Sequence, residues 1–424
     1  MTDSAGIPGG TGASGNGPEA PQGRGAGRGP GRGRRRRLLR WAGLGLVLLV
    51  LAGTATGWWL YNKLDGNITE DTSAAAELRR YERERPAHLT TGSQNILLIG
   101  SDSRSGKDNA RYGQDQGTQR SDTTILLHLP ADRKSATAVS IPRDLMTDIP
   151  ACLTADGTRT SEQFAQFNWA FQWGGAACTI RTVEKLTGIR VDHHMVIDFG
   201  GFKQMVDAIG GVEVCLKRPM DDAEAHLKLP AGRQTLRGEK ALGYVRARYS
   251  LGNGSDTERM ERQQQFLGSL VKKVQSNGVL LNPARLYPLL DAATSSVTTD
   301  PGLASLRGLY ELVRGVRDIP TDQVKFLTVP RRPYAADPNR DELIQTDAAR
   351  LFQQLRADQP VTITPPKPEA TAGTGDGTGS RDGNEPADAA GSRSATEPAD
   401  EGTGAAPTPV PTFTGTTAGT ADCR

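Results

Sequence analysis

From Trp41 to Asn62 the chain carries no charged residue (WAGLGLVLLVLAGTATGWWLYN). A helix of about 20 apolar residues crosses the hydrocarbon core of a bilayer. Arg34, Arg35, Arg36, Arg37 and Arg40 precede this run, and Trp58, Trp59 and Tyr61 close it. Basic residues before and aromatic rings after predict one retained span, with a cytoplasmic N-terminus and everything beyond Lys63 outside the membrane. A cleaved signal peptide is the alternative reading. Beyond the span the pattern changes three times. Residues 63–92 read as an extracytoplasmic stalk, helical over Thr72–Arg85 and broken by Pro86. Residues 93–360 alternate short apolar runs with helix-period stretches. From 361 to 424 Pro, Gly, Thr, Ala and Asp replace the large apolar residues, a composition that predicts disorder because it buries too little to offset chain entropy.

Within 93–360, NILLI (95–99), TTILLHL (123–129) and ATAVSI (136–141) read as strands, and the short PADRK link makes the last two an antiparallel hairpin. Ile180, Val183 and Leu186 sit at helical spacing in 177–187, with Gly188 as the stop. A strand is expected at His194–Asp198, a helix at Phe199–Ile209, a strand at Val212–Leu216 and a short helix at Gly238–Tyr244. Ser255 and Glu258 have capping-box spacing and open a helix running to Val274. The fold class expected is α/β, with a central mixed, largely antiparallel β-sheet flanked by helices.

Charge matters by placement, since the net value is only +3. The Gly/Arg-rich residues 1–40 read as a disordered cytoplasmic tail near lipid headgroups, and no nucleic acid is expected as a partner. Asp102 and Arg104 follow the first strand, Arg120 and Asp122 open the second, and Arg143 and Asp144 follow the third. If consecutive strands are antiparallel neighbours, all six gather on one rim of the sheet. Arg246 and Arg248, two apart, share a face if that piece is extended. Arg259, Arg262 and Gln263 share a helix face that continues into Leu267, Leu270 and Val274. Paired carboxylates call for a cation between them, and a hard ion such as Mg²⁺ takes oxygen ligands. Arg grips phosphate oxygens in forked pairs. The combination points to phosphoryl transfer or pyrophosphate binding. Taken singly, each pair is also explained as a surface ion pair or turn. His193 and His194 read as structural, and Asn168 as a turn residue. Of the four cysteines, Cys152 and Cys178 flank one loop-rich stretch and are expected to pair, with Cys215 buried in a strand and Cys423 alone in the tail.

The stretches GSDSR, RSDTTILLHL, SIPRD, FNWAFQWGG, DFGGFKQMVDAIGGVEV, GYVRARYS and DTERMERQQQ occur in that order over roughly residues 93–275. They resemble the LytR-CpsA-Psr family. The resemblance implies an apolar tunnel for a polyprenyl chain. It also implies a phosphotransferase that moves a glycopolymer (teichoic acid-like, capsular or arabinogalactan-like) from a polyprenyl pyrophosphate to a peptidoglycan hydroxyl. Asp102 and Asp122 then correspond to carboxylates holding Mg²⁺, with Mn²⁺ as a substitute. Arg120, Arg143, Arg246 and Arg248 correspond to pyrophosphate-binding arginines, and Asp256, Arg259 and Gln263 to polar residues at a helix start. Arg104, Asp144 and Arg262 carry over more weakly. Arg143, Asp144, Arg246, Arg248 and Asp256 are the expected catalytic set, and Asp144 and Asp256 compete for the acceptor proton. The loop between the two metal-site carboxylates is long for the pattern. Two other functions use the same residues: a pyrophosphatase or phosphatase with water as acceptor, and a non-enzymatic lipid-binding protein or membrane-bound transcription regulator.

Overall fold

A computed structural model of the protein describes residues 32–89, 91–102, 120–247, 256–276, 283–365 and 411–420. The chain divides into two compact units, Met1–Leu60 and Tyr61–Arg424. In the first unit the described residues belong to helix α1 (Arg32–Asn67), which continues past the unit boundary. Its Arg37–Asn67 stretch is long and apolar enough to cross a membrane. Leu44, Leu48 and Leu51 are all more than half exposed, as the lipid-facing surface of such a helix would be.

The second unit is built on a nine-stranded mixed sheet. Its strands are β1 (Thr69–Glu70), β2 (Gln94–Ser101), β3 (Ser121–Leu129), β4 (Ala136–Ile141), β5 (His193–Asp198), β6 (Val297–Thr299), β7 (Val324–Thr328), β8 (Thr362–Thr364) and β9 (Thr412–Thr417). They lie in the order β1-β6-β5-β2-β3-β4-β7-β9-β8. The expected antiparallel run β2-β3-β4 forms. On its flanks β5 pairs with β2, and β7 with β4, in parallel. The helices are α2 (Thr72–Arg80), α3 (Trp169–Thr187), α4 (Phe199–Ala208), α5 (Gly238–Arg246), α6 (Asp256–Ser276), α7 (Pro283–Ser296), α8 (Leu306–Arg317) and α9 (Gln345–Arg356).

Strand periodicity divides the core. Leu97, Ile99, Leu126 and Val139 face Ile180 and Val183 of α3 and Leu351 and Phe352 of α9. Ile96, Ile125, Ala138 and Phe326 face the other way, where Leu267 and Val271 of α6 pack. A neighbouring cluster joins Val206 of α4, Tyr244 of α5 and Phe266 of α6. The DFGG stretch has a steric reason: Asp198 caps α4 by accepting from the Gly201 N–H at 2.7 Å. A Cβ on Gly201 would fall 2.5 Å from Ser296 Cβ, so only glycine lets α4 approach the end of α7.

Several expectations are corrected. The stretch 63–92 is not a free stalk: β1 pairs with β6, and Leu64, Ala74 and Leu78 are buried. Bidentate contact of Arg85 with Glu184, at 2.7–3.1 Å, and of Arg159 with Glu77 hold this stretch on the body. A two-residue strand leaves no readable alternation. Helix α3 begins at Trp169, ahead of the expected 177, because the chain kinks at Gly174 and Gly175 and resumes. The helix expected at Gly238–Tyr244 continues to Arg246, so Arg246 sits in a last helical turn and not on an extended segment. The tail is not structureless: β8 and β9 complete the sheet, and Phe413 is only 6% exposed. Gly415 makes this possible, since a Cβ there would meet the Phe326 carbonyl oxygen at 2.5 Å.

Cys152 and Cys178 form the expected disulfide. Cys215 is exposed and disulfide-bonded, not buried, because strand alternation puts Val214 and Leu216 inward in its place. Cys423 lies outside the described residues. Closing a loop of 26 residues restricts the unfolded chain by about 3.5 kcal/mol. Cys152→Ser should therefore lower stability by about that amount in a denaturant titration, and reductant should do nothing further to the Cys152→Ser/Cys178→Ser double variant at this bond.

The adjacent histidines are structural, as expected. His193 Nδ1 lies 3.0 Å from Asp300, and His194 Nε2 lies 3.4 Å from Asp71. Burial works against both ions of the first pair, yet the hydrogen bond and opposite charge win: His193 is raised above its ordinary value and Asp300 lowered. Asp71, despite burial, is held at about 2 by His194, the Ala74 N–H and Ser73. The His193 contribution is complete below the unfolded imidazole pKa and disappears as pH rises through the raised folded value. The Asp300 contribution is present above the unfolded carboxylate pKa and disappears as pH falls through the lowered one. Melting the wild type and Asp300→Asn across pH 5–9 should show a gap that narrows as pH rises past the His193 range.

Candidate active site

Strand polarity assembles the site. The ends of β2, β4 and β5 and the start of β3 share one rim, with Ser101 opposite both Ser121 and Asp198. The β2-β3 ladder pairs Gly100 with Thr123 but Ser101 with Ser121, so Asp122 is the extra residue of a β-bulge. Bulges re-aim side chains, and this one turns Asp122 into a cavity. Arg143, just past β4, donates from Nη1 to Asp122 at 2.8 Å and from Nε to Asp144 at 3.1 Å. One guanidinium thus spans two carboxylates.

The cavity has a volume of about 360 Å³ and lies between the sheet and helices α4, α5 and α6. Asp122, Arg143, Asp198, Asp222, Glu224, Arg246, Arg259 and Gln263 supply its charged and amide lining. Leu98, Ile125, Phe202, Leu242, Phe266 and Leu267 supply apolar walls. Arg246, at the end of α5, lies with its guanidinium carbon 4.7 Å from the centre of the Phe199 ring, which helps to fix its direction at the cavity edge. Arg259 is only 4% exposed. Gln263 is oriented by donating to the Val245 carbonyl at 3.0 Å. Three guanidiniums here face four carboxylates, so forked contacts with the arginines suit a polyanion whose approach a cation on the acidic groups would assist.

Five of the expected residues therefore converge on one cavity: Asp122, Arg143, Arg246, Arg259 and Gln263. Asp102 stands next to them on the neighbouring strand end, its carboxylate accepting from the Arg120 N–H at 2.5 Å. Asp144 accepts from Arg143 Nε without lining the cavity itself. Arg120 is exposed and points to Gln172, donating to its side-chain oxygen at 3.2 Å. Arg262 does not join the site. It is buried and donates to the Ala247 carbonyl, which holds the end of α5. Its helical phase matches Arg259, but the carbonyl at the α5 terminus captures it. Arg104, Arg248 and the side chain of Asp256 lie outside the described residues. Sequence reasoning missed Asp198, Asp222 and Glu224. Asp198 read as a strand end and is in fact both the α4 cap and a cavity residue. Asp222 sits on a three-residue strand and accepts from the Ala225 N–H at 2.9 Å, with no pattern to mark it.

The donor set near Asp102 and Asp122 is oxygen, without histidine or thiolate in the cavity wall, and this suits a hard cation. Among the described residues no cluster of three or more metal-ligating side chains forms. A cation here would take its remaining ligands from substrate oxygens and water.

Known proteins share this arrangement of chain. Cell wall biosynthesis protein LcpA of Corynebacterium glutamicum is 34% identical over 308 residues, covering 67% of this chain and 58% of its own. The polyisoprenyl-teichoic acid–peptidoglycan teichoic acid transferase TagU of Halalkalibacterium halodurans is 33% identical over 280 residues, covering 65% and 83%. The chain thus spans little over half the length of LcpA, and 49% of the related LcpB. Among solved structures, the LytR-Csp2A-Psr enzyme from Actinomyces oris superposes with a TM-score of 0.50 at 22% identity, over 64% of this chain and 93% of that one, and shows the same fold. The profile of the LytR_cpsA_psr family matches residues 64–359, well over half of the chain, from the end of α1 to the last turn before β8; the protein is a member of that family.

Proposed function

We propose that the protein is an envelope phosphotransferase that moves a glycopolymer from a polyprenyl pyrophosphate to peptidoglycan. The observation that carries this reading is one cavity with Arg143, Arg246, Arg259 and Gln263 gathered at its polar lining and branched and aromatic side chains along its walls. A lipid-linked pyrophosphate has that same division. Relatives that are a cell wall biosynthesis protein and a teichoic acid transferase support the assignment. So does an N-terminal helix able to anchor the body at the membrane where such lipids reside. The arginines that flank this helix favour an N-terminus inside and the body outside.

The acceptor hydroxyl oxygen attacks the glycan-side phosphorus. The bond from that phosphorus to the bridging oxygen breaks, and polyprenyl monophosphate leaves with the electron pair. Arg143, Arg246 and Arg259 hold phosphate oxygens and stabilise the charge that builds on the bridge, an effect that accelerates transfer only as far as it grows toward the transition state. Asp102 and Asp122 would hold Mg²⁺, or Mn²⁺ in its place. When bound, that ion neutralises pyrophosphate charge and improves the leaving group. The acceptor proton passes to a carboxylate, for which Asp144 is positioned beside Arg143; Asp256, at the start of α6, is the other candidate.

The full chain, supplied with a polyprenyl-pyrophosphate glycan, should release polyprenyl monophosphate in step with phosphodiester-linked glycan and only when peptidoglycan is present. Equal release without the acceptor would mean hydrolysis and overturn the proposal.

A further inference from the structure

We propose that the outward face of the hairpin Met146–Ile149/Gln163–Gln166 is the subsite for the acceptor glycan, a platform for a pyranose ring beside the phosphate cavity. The inference deepens the phosphotransferase reading and rests on it for the identity of the glycan.

The register pairs Met146 with Gln166 and Asp148 with Phe164. Strand alternation then puts these four side chains on one face, while Thr147, Ile149 and Ala165 turn inward and are buried. Phe164 is 52% exposed. Among the described residues beyond α1, only Tyr310 and Val313 of α8 are comparably exposed large apolar side chains. An isolated exposed phenylalanine is ordinary. This one is flanked by a second ring, Tyr334, 6.1 Å away and tilted by 57°. It also has a carboxylate, Asp148, across the strand and an amide, Gln166, two residues along it.

A pyranose offers an apolar face of C–H bonds and a rim of hydroxyls. An exposed aromatic ring with a carboxylate and an amide at its edges meets both requirements. The patch is one ring pair wide, too small for a stable protein interface, and ion pairs border it, Arg332 with Glu342 and Arg340 with Asp337.

Hydrogen bonds link the platform to the site directly. Gln166 donates to Asp144 Oδ1 at 3.3 Å. Asp144 accepts from Arg143, and Arg143 donates to Asp122 inside the cavity. Gln166 and Phe164 are about 7 Å apart along the strand. A sugar ring on Phe164 therefore places its neighbour at Gln166 and Asp144, where the attacking hydroxyl has to be.

The test uses the full chain and two readouts. The first is binding of soluble, enzymatically released peptidoglycan glycan chains without donor; the second is the acceptor KM in the transfer assay. Phe164→Ala and Asp148→Asn should each weaken glycan binding and raise the acceptor KM about tenfold. Donor binding and melting temperature should not change, and Phe164→Trp should restore binding. Unchanged glycan binding and acceptor KM in both alanine and asparagine variants would overturn the platform even with transfer intact in the wild type. Glycan binding that depends on Phe164 in a wild type that performs no transfer would keep the platform and reject the phosphotransferase reading.

Discussion

If the protein is the proposed phosphotransferase, replacing Arg143 with alanine should lower transfer by about ten- to a hundredfold for each charge-assisted hydrogen bond that the guanidinium made, without unfolding the protein. A hydrogen bond to a charged partner contributes about 1.5–3 kcal/mol, and each 1.36 kcal/mol of barrier is a factor of about ten in rate. Arg143 makes at least two such bonds before substrate arrives, to Asp122 and to Asp144. Removing it leaves two like-charged carboxylates facing the pyrophosphate and withdraws the group that fixes their directions. The fold should persist because all three side chains are partly solvated, Arg143 at 22%, Asp122 at 27% and Asp144 at 19% exposure, so no deeply buried charge is orphaned. Lysine should rescue poorly, since one ammonium does not reproduce the planar fork that spans both carboxylates. Asp122→Ala should be comparably damaging, as it empties the bulge position that carries a carboxylate into the cavity. Circular dichroism alongside the transfer assay separates loss of chemistry from loss of fold.

Phe413→Ala should destabilise the body by about 3–5 kcal/mol, the usual cost of truncating a buried aromatic side chain, and lower the melting temperature on the order of 10 °C. This residue belongs to a segment whose composition gives no hint of structure. Yet Phe413 packs into the main core with Leu327 and Val361, and its strand pairs antiparallel with β7 and parallel with β8. Cutting the chain after residue 365 should have a larger effect than the single substitution. It removes the ladder from Lys325, Phe326 and Leu327 as well as the ring, and leaves a sheet edge open to pairing between molecules. An unaltered melting curve for Phe413→Ala would mean that the strand contributes nothing to the body.

The rim of the site was legible because strand order and polarity suffice to bring 102, 122 and 143 together. Three apolar runs and one short link determine β2-β3-β4, and the motif residues flank those runs. The bulge was not legible, since one extra residue in a ladder leaves no mark in the hydrophobic pattern. It nevertheless decides that Asp122 faces the cavity. Arg259 and Arg262 show the limit of helical phase: both lie on the same side of α6, but a carbonyl at the end of α5 takes one and the cavity takes the other. Arg246 and Arg248 share a face only if their piece is extended, whereas the preceding ALGYV continues the helix through Arg246. The parallel flanking strands, the packing of 63–89 on the body and the return of β9 all depend on residues distant in sequence. Local composition is blind to such pairings, and most of all in a Pro- and Gly-rich tail where only scattered residues such as Val361, Phe413 and Ala418 carry the burial.

In the proposed function the arginine-lined end of the α4-α5-α6 cavity holds a pyrophosphate while its walls hold the attached polyprenyl chain. Native mass spectrometry of the full chain extracted from bacterial membranes reads out this occupancy. Wild-type protein should retain a polyprenyl phosphate or pyrophosphate, and the Arg143→Ala/Arg246→Ala double variant, equally folded, should be stripped of it. Wild-type protein free of such lipid, or the double variant retaining it undiminished, would contradict the claim.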